Sequence, residues 1–156
     1  MAAHNGNANT NLIEYVTVSL DEHLFGLPIS TVQDVFVPDR LTQVPLSQPE
    51  IAGVLNLRGR IVTAIDMRRR LGLPPRRDEV AMIAVGIELR GESYGLLVDA
   101  VGEVMKLAKD ACEAKPINLD ARLADVTAGI YRLDGQLLVV LDVERVFDMS
   151  VSAIAA

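Results

Sequence analysis

The side chains best able to do chemistry are few and scattered. The two histidines are His4, in a polar N-terminal stretch, and His23, in a turn between apolar segments. Neither has a partner at the spacing of a metal site or a nucleophile–base pair, and the single cysteine, Cys112, has no histidine nearby in sequence. Cys112 therefore reads as a small hydrophobe, buried or half-buried. The glycines form neither G-x-G-x-x-G nor G-x-x-x-x-G-K-S/T, so no phosphate-cradling loop is expected. Asp66 and Asp142 stand at matched positions and could in principle share general acid–base work. Each, however, ends its own apolar strand and opens its own helical turn, where an aspartate caps free backbone N–H groups. No catalytic residues, metal ligands or cofactor site are expected.

The arginines are a different kind of candidate. Arg58, Arg60, Arg68, Arg69, Arg70, Arg76 and Arg77 fall in a segment whose only acid is Asp66, in a chain of net charge −6. Such a segment is either a solvated turn, helix face and linker or a contact for an acidic partner. Nucleic acid is the weaker expectation, because the segment has no aromatic residue to stack on bases and the overall charge is negative. Arg58 stands apart: beside Gly59, at the tip of an apolar hairpin, its guanidinium can offer a forked set of donors to a carboxylate or carbonyl.

The elements that must hold these residues are short and mostly β. Leu12–Leu20, 24–29, 80–89, 93–98, 126–133 and Gln136–Leu141 read as strands, rich in β-branched residues. Ser30 is expected to cap a short helix through Val32, Val35 and Phe36, which Pro38 stops. Half of the 156 residues are apolar but only 4% are aromatic and none is Trp, so the core must be aliphatic. The longest apolar run, 80–87, is far short of the ~20 residues of a membrane helix. Residues 1–11 carry no signal-peptide pattern and read as a disordered tail, and 149–156 read as a C-terminal tail. With one cysteine and no signal pattern, a cytoplasmic location is expected.

The sequence repeats itself. The segment 52–66 matches 128–142 without a gap, 76 positions later: Gly53 over Gly129, Gly59 over Gly135, Asp66 over Asp142. Earlier in each half, Phe25-Gly26-Leu27 matches Tyr94-Gly95-Leu96 and Val32-Gln33-Asp34-Val35 matches Val101-Gly102-Glu103-Val104, 69 positions later. Both halves thus read hairpin, helix, hairpin, helix, with a proline-containing linker near 73–78. Units this small close best as barrels. The expected organisation is a first unit over roughly 12–73 and a second over 79–148, with exchange of terminal segments between them open. At the hairpin tips the copies differ, Arg58 facing Asp134 in the alignment; their shared residues Gly53, Gly129, Gly135, Asp66 and Asp142 are assigned to holding the fold.

Residues 51–66, with the N-L-R-G turn from Asn56 to Gly59, resemble the signature of the CheW family, the adaptor proteins of bacterial chemotaxis. The resemblance runs from about Tyr15 to Phe147 and includes Phe25 to Ile29, Gly95 to Asp99 and the stretch from Gly129 to Asp142. It implies a mainly β fold of two five-stranded SH3-like barrels packed through a third apolar core. It further implies a non-enzymatic, monomeric scaffold that couples the cytoplasmic tip of chemoreceptors to the regulatory domain of the histidine kinase CheA, recruited to membrane-associated arrays without inserting in the membrane. Carried over position by position, it assigns partner contact to Val32, Asp34, Asn56, Arg58, Gly59, Ile83, Ala84 and Val101, and also to Gly53. The same role in a non-flagellar sensory pathway is the alternative that the sequence leaves open.

Overall fold

The computed structural model describes residues 11–38, 41–42, 49–57, 59–75, 82–116 and 119–147. Ten strands run in chain order: β1 (Leu12–Leu20), β2 (His23–Pro28), β3 (Val32–Phe36), β4 (Ile51–Leu57), β5 (Arg60–Asp66), β6 (Ile83–Leu89), β7 (Glu92–Val98), β8 (Ala100–Ala108), β9 (Thr127–Leu133) and β10 (Gln136–Leu141). Three short helices, α1 (Met67–Leu71), α2 (Ala121–Asp125) and α3 (Val143–Val146), complete the described elements with two single 3₁₀ turns. The chain is therefore mainly β.

The strands form two five-stranded sheets, β8-β1-β2-β10-β9 and β3-β6-β7-β5-β4. Each sheet draws on both sequence halves: the hairpin β1–β2 joins strands of the second copy, and the hairpin β6–β7 joins strands of the first. The repeat is reproduced to the residue. β10 runs parallel to β2 with Val139 opposite Phe25 and Val140 opposite Gly26. β5 runs parallel to β7 with Thr63 opposite Tyr94 and Ala64 opposite Gly95, the matched positions. Each sheet is closed toward a barrel by a single bridge, Thr42 to Val54 in one and Glu113 to Ile130 in the other. These bridges explain two glycines. A Cβ on Gly53 would lie 2.4 Å from the Thr42 carbonyl oxygen, and one on Gly129 would lie 2.6 Å from Cys112 Sγ.

Three apolar clusters fill the molecule. Tyr15, Tyr131, Leu138 and Val140 fill the first barrel, and Leu55, Val62, Ala64, Ala84 and Leu97 the second. The largest lies between them, built from both sheets and all three helices, with Phe25, Leu27, Ile87, Leu96, Met67 and Leu123 among its members. Successive strand residues face different cores. Leu138 and Val140 point into the first barrel, while Val139 and Leu141 join the shared core. Strands covered on both faces lose the apolar/polar alternation of a half-exposed sheet, and this is why they read as continuous apolar runs.

The expected helix from Ser30 to Phe36 does not form. A 3₁₀ turn, Ile29–Thr31, leads into β3, which pairs antiparallel with β6. The three-residue spacing of Val32 and Val35 comes from a β-bulge: Val32 opposes Ile87 and Asp34 opposes Gly86, leaving an extra residue on β3. The matched helix at Val101 to Val104 is likewise absent; that segment lies in β8, with the equivalent bulge against β1. β-Branched residues with a strand edge to pair with override a helical spacing.

The expected caps form. Asp66 Oδ1 accepts from the backbone N–H of Arg68 and Arg69, at 3.1 and 3.4 Å, and Asp142 Oδ1 accepts from Arg145 N–H at 3.4 Å. No helix among the described residues is long and apolar enough to cross a membrane.

Candidate partner-binding site

The turn between β4 and β5 is built by its own residues. Gly59 has φ +82°, which a glycine reaches without strain, and Asn56 Oδ1 accepts its backbone N–H at 2.9 Å. Arg58, which the sequence places in this turn, lies outside the described residues. The matched turn in the first barrel uses Gly135 with φ +84° beside the exposed Asp134. Beyond the first tip, Ile61 is 68% exposed, and Arg60 donates from Nη2 to the Ser93 hydroxyl.

Next to this hairpin the second barrel has a hollow of about 230 Å³, lined among others by Asp34, Phe36, Leu57, Arg60 and Tyr94. Asp34 is half-buried and its Oδ1 accepts the N–H of Val35 at 2.8 Å. The hollow thus combines an apolar floor with one acid and one base at its rim. Gln33 beside it is held by a hydrogen bond from Nε2 to Glu88 Oε1 at 2.7 Å.

Val32, Ile83 and Val101 occupy another place: all three are half-buried at the border of the shared core. Val32 opposes Ile87 and Val101 opposes Val18, so one comes from each barrel in equivalent positions. Ala84 differs, being fully buried inside the second barrel with Leu55, Val62 and Leu97. It has no surface to offer a partner, and any effect on binding runs through the shape of β6. Gly53 is also buried, under the Thr42 bridge.

The chain's similarities bear directly on this arrangement. The family model for the CheW-like domain matches residues 14–151. The chain belongs to the CheW family. CheW proteins are chemotaxis adaptors that act as scaffolds rather than enzymes. The chain is 24% identical over 135 residues to the chemotaxis protein CheW of Thermotoga maritima, covering 86% of this chain and 87% of that one. It is 28% identical over 126 residues to its Bacillus subtilis counterpart, covering 80% of each. The crystal structure of the scaffolding protein TtCheW from Thermoanaerobacter tengcongensis superposes with a TM-score of 0.75 at 30% identity, over 83% of this chain and 88% of that one. The two sheets are accordingly the two SH3-like barrels of the CheW fold.

Within that fold the arginine-rich segment is not one solvent-facing strip. Arg68 is 8% exposed and grips Asp99 with both arms of its fork, Nε to Oδ1 at 3.0 Å and Nη2 to Oδ2 at 2.5 Å. The hydrogen bond to Asp99 raises the Arg68 pKa against the opposing effect of burial. Arg70 donates to the carbonyls of Arg145 and Val146, both at 2.8 Å, closing the C-terminus of α3. Arg60 and Arg69 face solvent, and Arg76 and Arg77 lie outside the described residues. Sequence reasoning missed the inward arginines because their partners lie 31 and 76 positions away. A signal was present in Asp99, an acid directly after the apolar run of β7.

Proposed function

We propose that this CheW-family chain couples the cytoplasmic tip of chemoreceptors to the histidine kinase CheA, binding the kinase through its regulatory domain. The observation that supports it best is the β4–β5 hairpin, whose Asn56–Gly59 hydrogen bond fixes a tight turn beside the hollow of Asp34 and Arg60. A receptor tip is a helical hairpin, and a helix seated on a groove needs apolar anchors with a few polar orienting groups. Val32 and Val101, at the border of the shared core, supply anchors from both barrels. Arg58, with Asp34, supplies the orienting charge. The proposed setting is the cytoplasmic side of receptor arrays, with no cofactor and no nucleic acid, and the isolated chain a monomer.

The test is reconstitution of the chain with receptor-bearing membranes and kinase. Arg58→Ala, and more so Arg58→Asp, weakens receptor-dependent kinase activation by roughly 10- to 100-fold, the loss of one or two charge-assisted hydrogen bonds at about 1.5–3 kcal/mol. The fold survives, as read by circular dichroism. Unchanged receptor pull-down and unchanged kinase activation in both variants would sink the reading.

A further inference from the structure

Among the described strands the chain passes between the two barrels twice. The first passage, from β2 to β3, runs through the 3₁₀ turn Ile29–Thr31. The second, from β7 to β8, consists of Asp99 alone: Val98 ends a strand of one barrel and Ala100 begins a strand of the other. Two separate pieces of the molecule, the helix α1 and the β1–β2 hairpin, meet at this residue. Arg68, on the helix that continues β5, holds its carboxylate with the two-armed fork. The Asp21 N–H, in the β1–β2 turn of the first barrel, donates to Asp99 Oδ2 at 2.7 Å. The Asp99 N–H donates to the Ser19 carbonyl at 3.1 Å. The remaining arm of Arg68 donates to the carbonyls of Pro74 and Pro75, at 3.0 and 3.3 Å, and so fixes the start of the linker. The Arg68 and Asp99 side chains are only 10% and 12% exposed, so the pair is little screened by solvent.

Among the described residues the other passage has no such construction. The repeat places Ser30 where Asp99 stands, Glu144 where Arg68 stands and Arg90 where Asp21 stands. The charges are reversed and moved outward. Arg90 Nη2 lies 3.3 Å from Glu144 Oε1, with side chains 76% and 70% exposed, over an open hollow lined by Ser30, Thr31, Glu88 and Val143. Exposed pairs of this kind constrain little. One passage is clamped and its pseudo-symmetric counterpart is not.

We infer that the Arg68–Asp99 pair is a clamp that fixes the angle between the two barrels, so that Arg68 and Asp99 act as positioning residues for a surface shared by both. A bidentate pair resists rotation as well as separation. The shared apolar core holds the barrels together without fixing a direction, and the pair adds a directional constraint at the shorter of the two passages.

The experiment measures the barrel-to-barrel distance directly. Spin labels go on the native Cys112, beside the first barrel, and on Ile61→Cys, on the second; both positions are exposed. Double electron–electron resonance gives a narrow distance distribution in the labelled parent. Arg68→Gln and Asp99→Asn broaden it about twofold or more, while Arg90→Gln leaves it unchanged. Arg68→Lys retains the charge without the fork and serves if the neutral variants fail to fold; it gives an intermediate width. A width unaltered in Arg68→Lys and Arg68→Gln, or altered equally by Arg90→Gln, overturns the proposal. A second readout rests on the proposed coupling role. Arg68→Lys retains affinity for the isolated kinase regulatory domain but loses receptor-dependent kinase activation severalfold. Broadened distances with unimpaired activation would fault the coupling role and leave the clamp standing.

Discussion

The bridges that close the two barrels make a quantitative comparison possible between equivalent glycines. Thr42 and Val54 exchange two backbone hydrogen bonds, each 2.8 Å long. Replacing Gly53 by Ala puts a Cβ 2.4 Å from the Thr42 oxygen and 2.9 Å from its carbonyl carbon, at a φ of +151° that L-residues rarely adopt. The obstacle is backbone, so the bridge must open. Two hydrogen bonds at about 1 kcal/mol each, with strain of about 1–2 kcal/mol, give a cost of about 3–4 kcal/mol. In the other barrel the first atom met by a Cβ on Gly129 is Cys112 Sγ at 2.6 Å, the end of an exposed side chain that turns aside about one torsion. The Glu113 oxygen, at 3.0 Å, then has to yield by a few tenths of an ångström, and the bonds of 2.8 and 2.9 Å between Glu113 and Ile130 persist. A cost of about 1 kcal/mol follows. In urea, with m about 2 kcal/mol/M, the midpoint falls by about 1.5–2 M for Gly53→Ala and by about 0.5 M for Gly129→Ala. Cys112→Ala recovers part of the Gly129→Ala loss, a coupling between residues in contact. Equal midpoint shifts for the two glycine variants, or a larger one at Gly129, would refute the idea that the crossing chain segment is what excludes a side chain at Gly53.

The remaining expectations concern the caps and the tyrosines. Asp66→Ala costs more than Asp142→Ala, about 1.5 against about 1 kcal/mol by thermal or urea unfolding, because Asp66 accepts from two N–H groups and Asp142 from one; equal costs would remove that distinction. Burial first, and then the hydrogen bond with the Tyr15 hydroxyl, push the Tyr131 phenol well above the ordinary tyrosine range, and burial with the bond to Glu92 raises Tyr94. The unfolded chain ionises these phenols near pH ~10, so the stability they confer is complete below that pH. It is lost as pH rises from there through the folded values. Absorbance titration of the native chain at pH 11 therefore shows incomplete tyrosinate formation, and melting at pH 11 falls below melting at pH 8; full ionisation of a still-folded chain would contradict this.

The sequence displayed the repeat but not the way its copies interlock. Matched residues such as Phe25 with Tyr94, or Ala64 with Val140, show which strands correspond. They are silent on whether β2 pairs with β5 of its own copy or β10 of the other, because the contacts are equivalent in either case. The helical reading of Val32 to Phe36 failed for a related reason: a bulge imitates the three-residue spacing of a helix. The turn at Gly59 and the caps at Asp66 and Asp142 were legible because they depend on neighbours within three residues. Arg68 and Arg70 were not, since their partners are brought in only by the folded chain.

The lengths of the connections nevertheless decide the interlocking. β7 and β8 would both be antiparallel to β6 if β8 stayed in the sheet of its own hairpin, and would thus be parallel to each other. Parallel strands on either side of β6 need a crossover of a dozen or more residues, and only Asp99 lies between them. The same holds for β2 and β3, with the three residues Ile29–Thr31 between them. Neither chain segment can return to its own sheet, so each continues into the opposite one, where β8 pairs with β1 and β3 with β6. The exchange is thus a consequence of short connections, and it also determines where the two half-buried valines fall. Val32 is the first strand residue after one passage and Val101 the second after the other. Both therefore set down an apolar side chain at the border of the core the barrels share, and that border spans both copies.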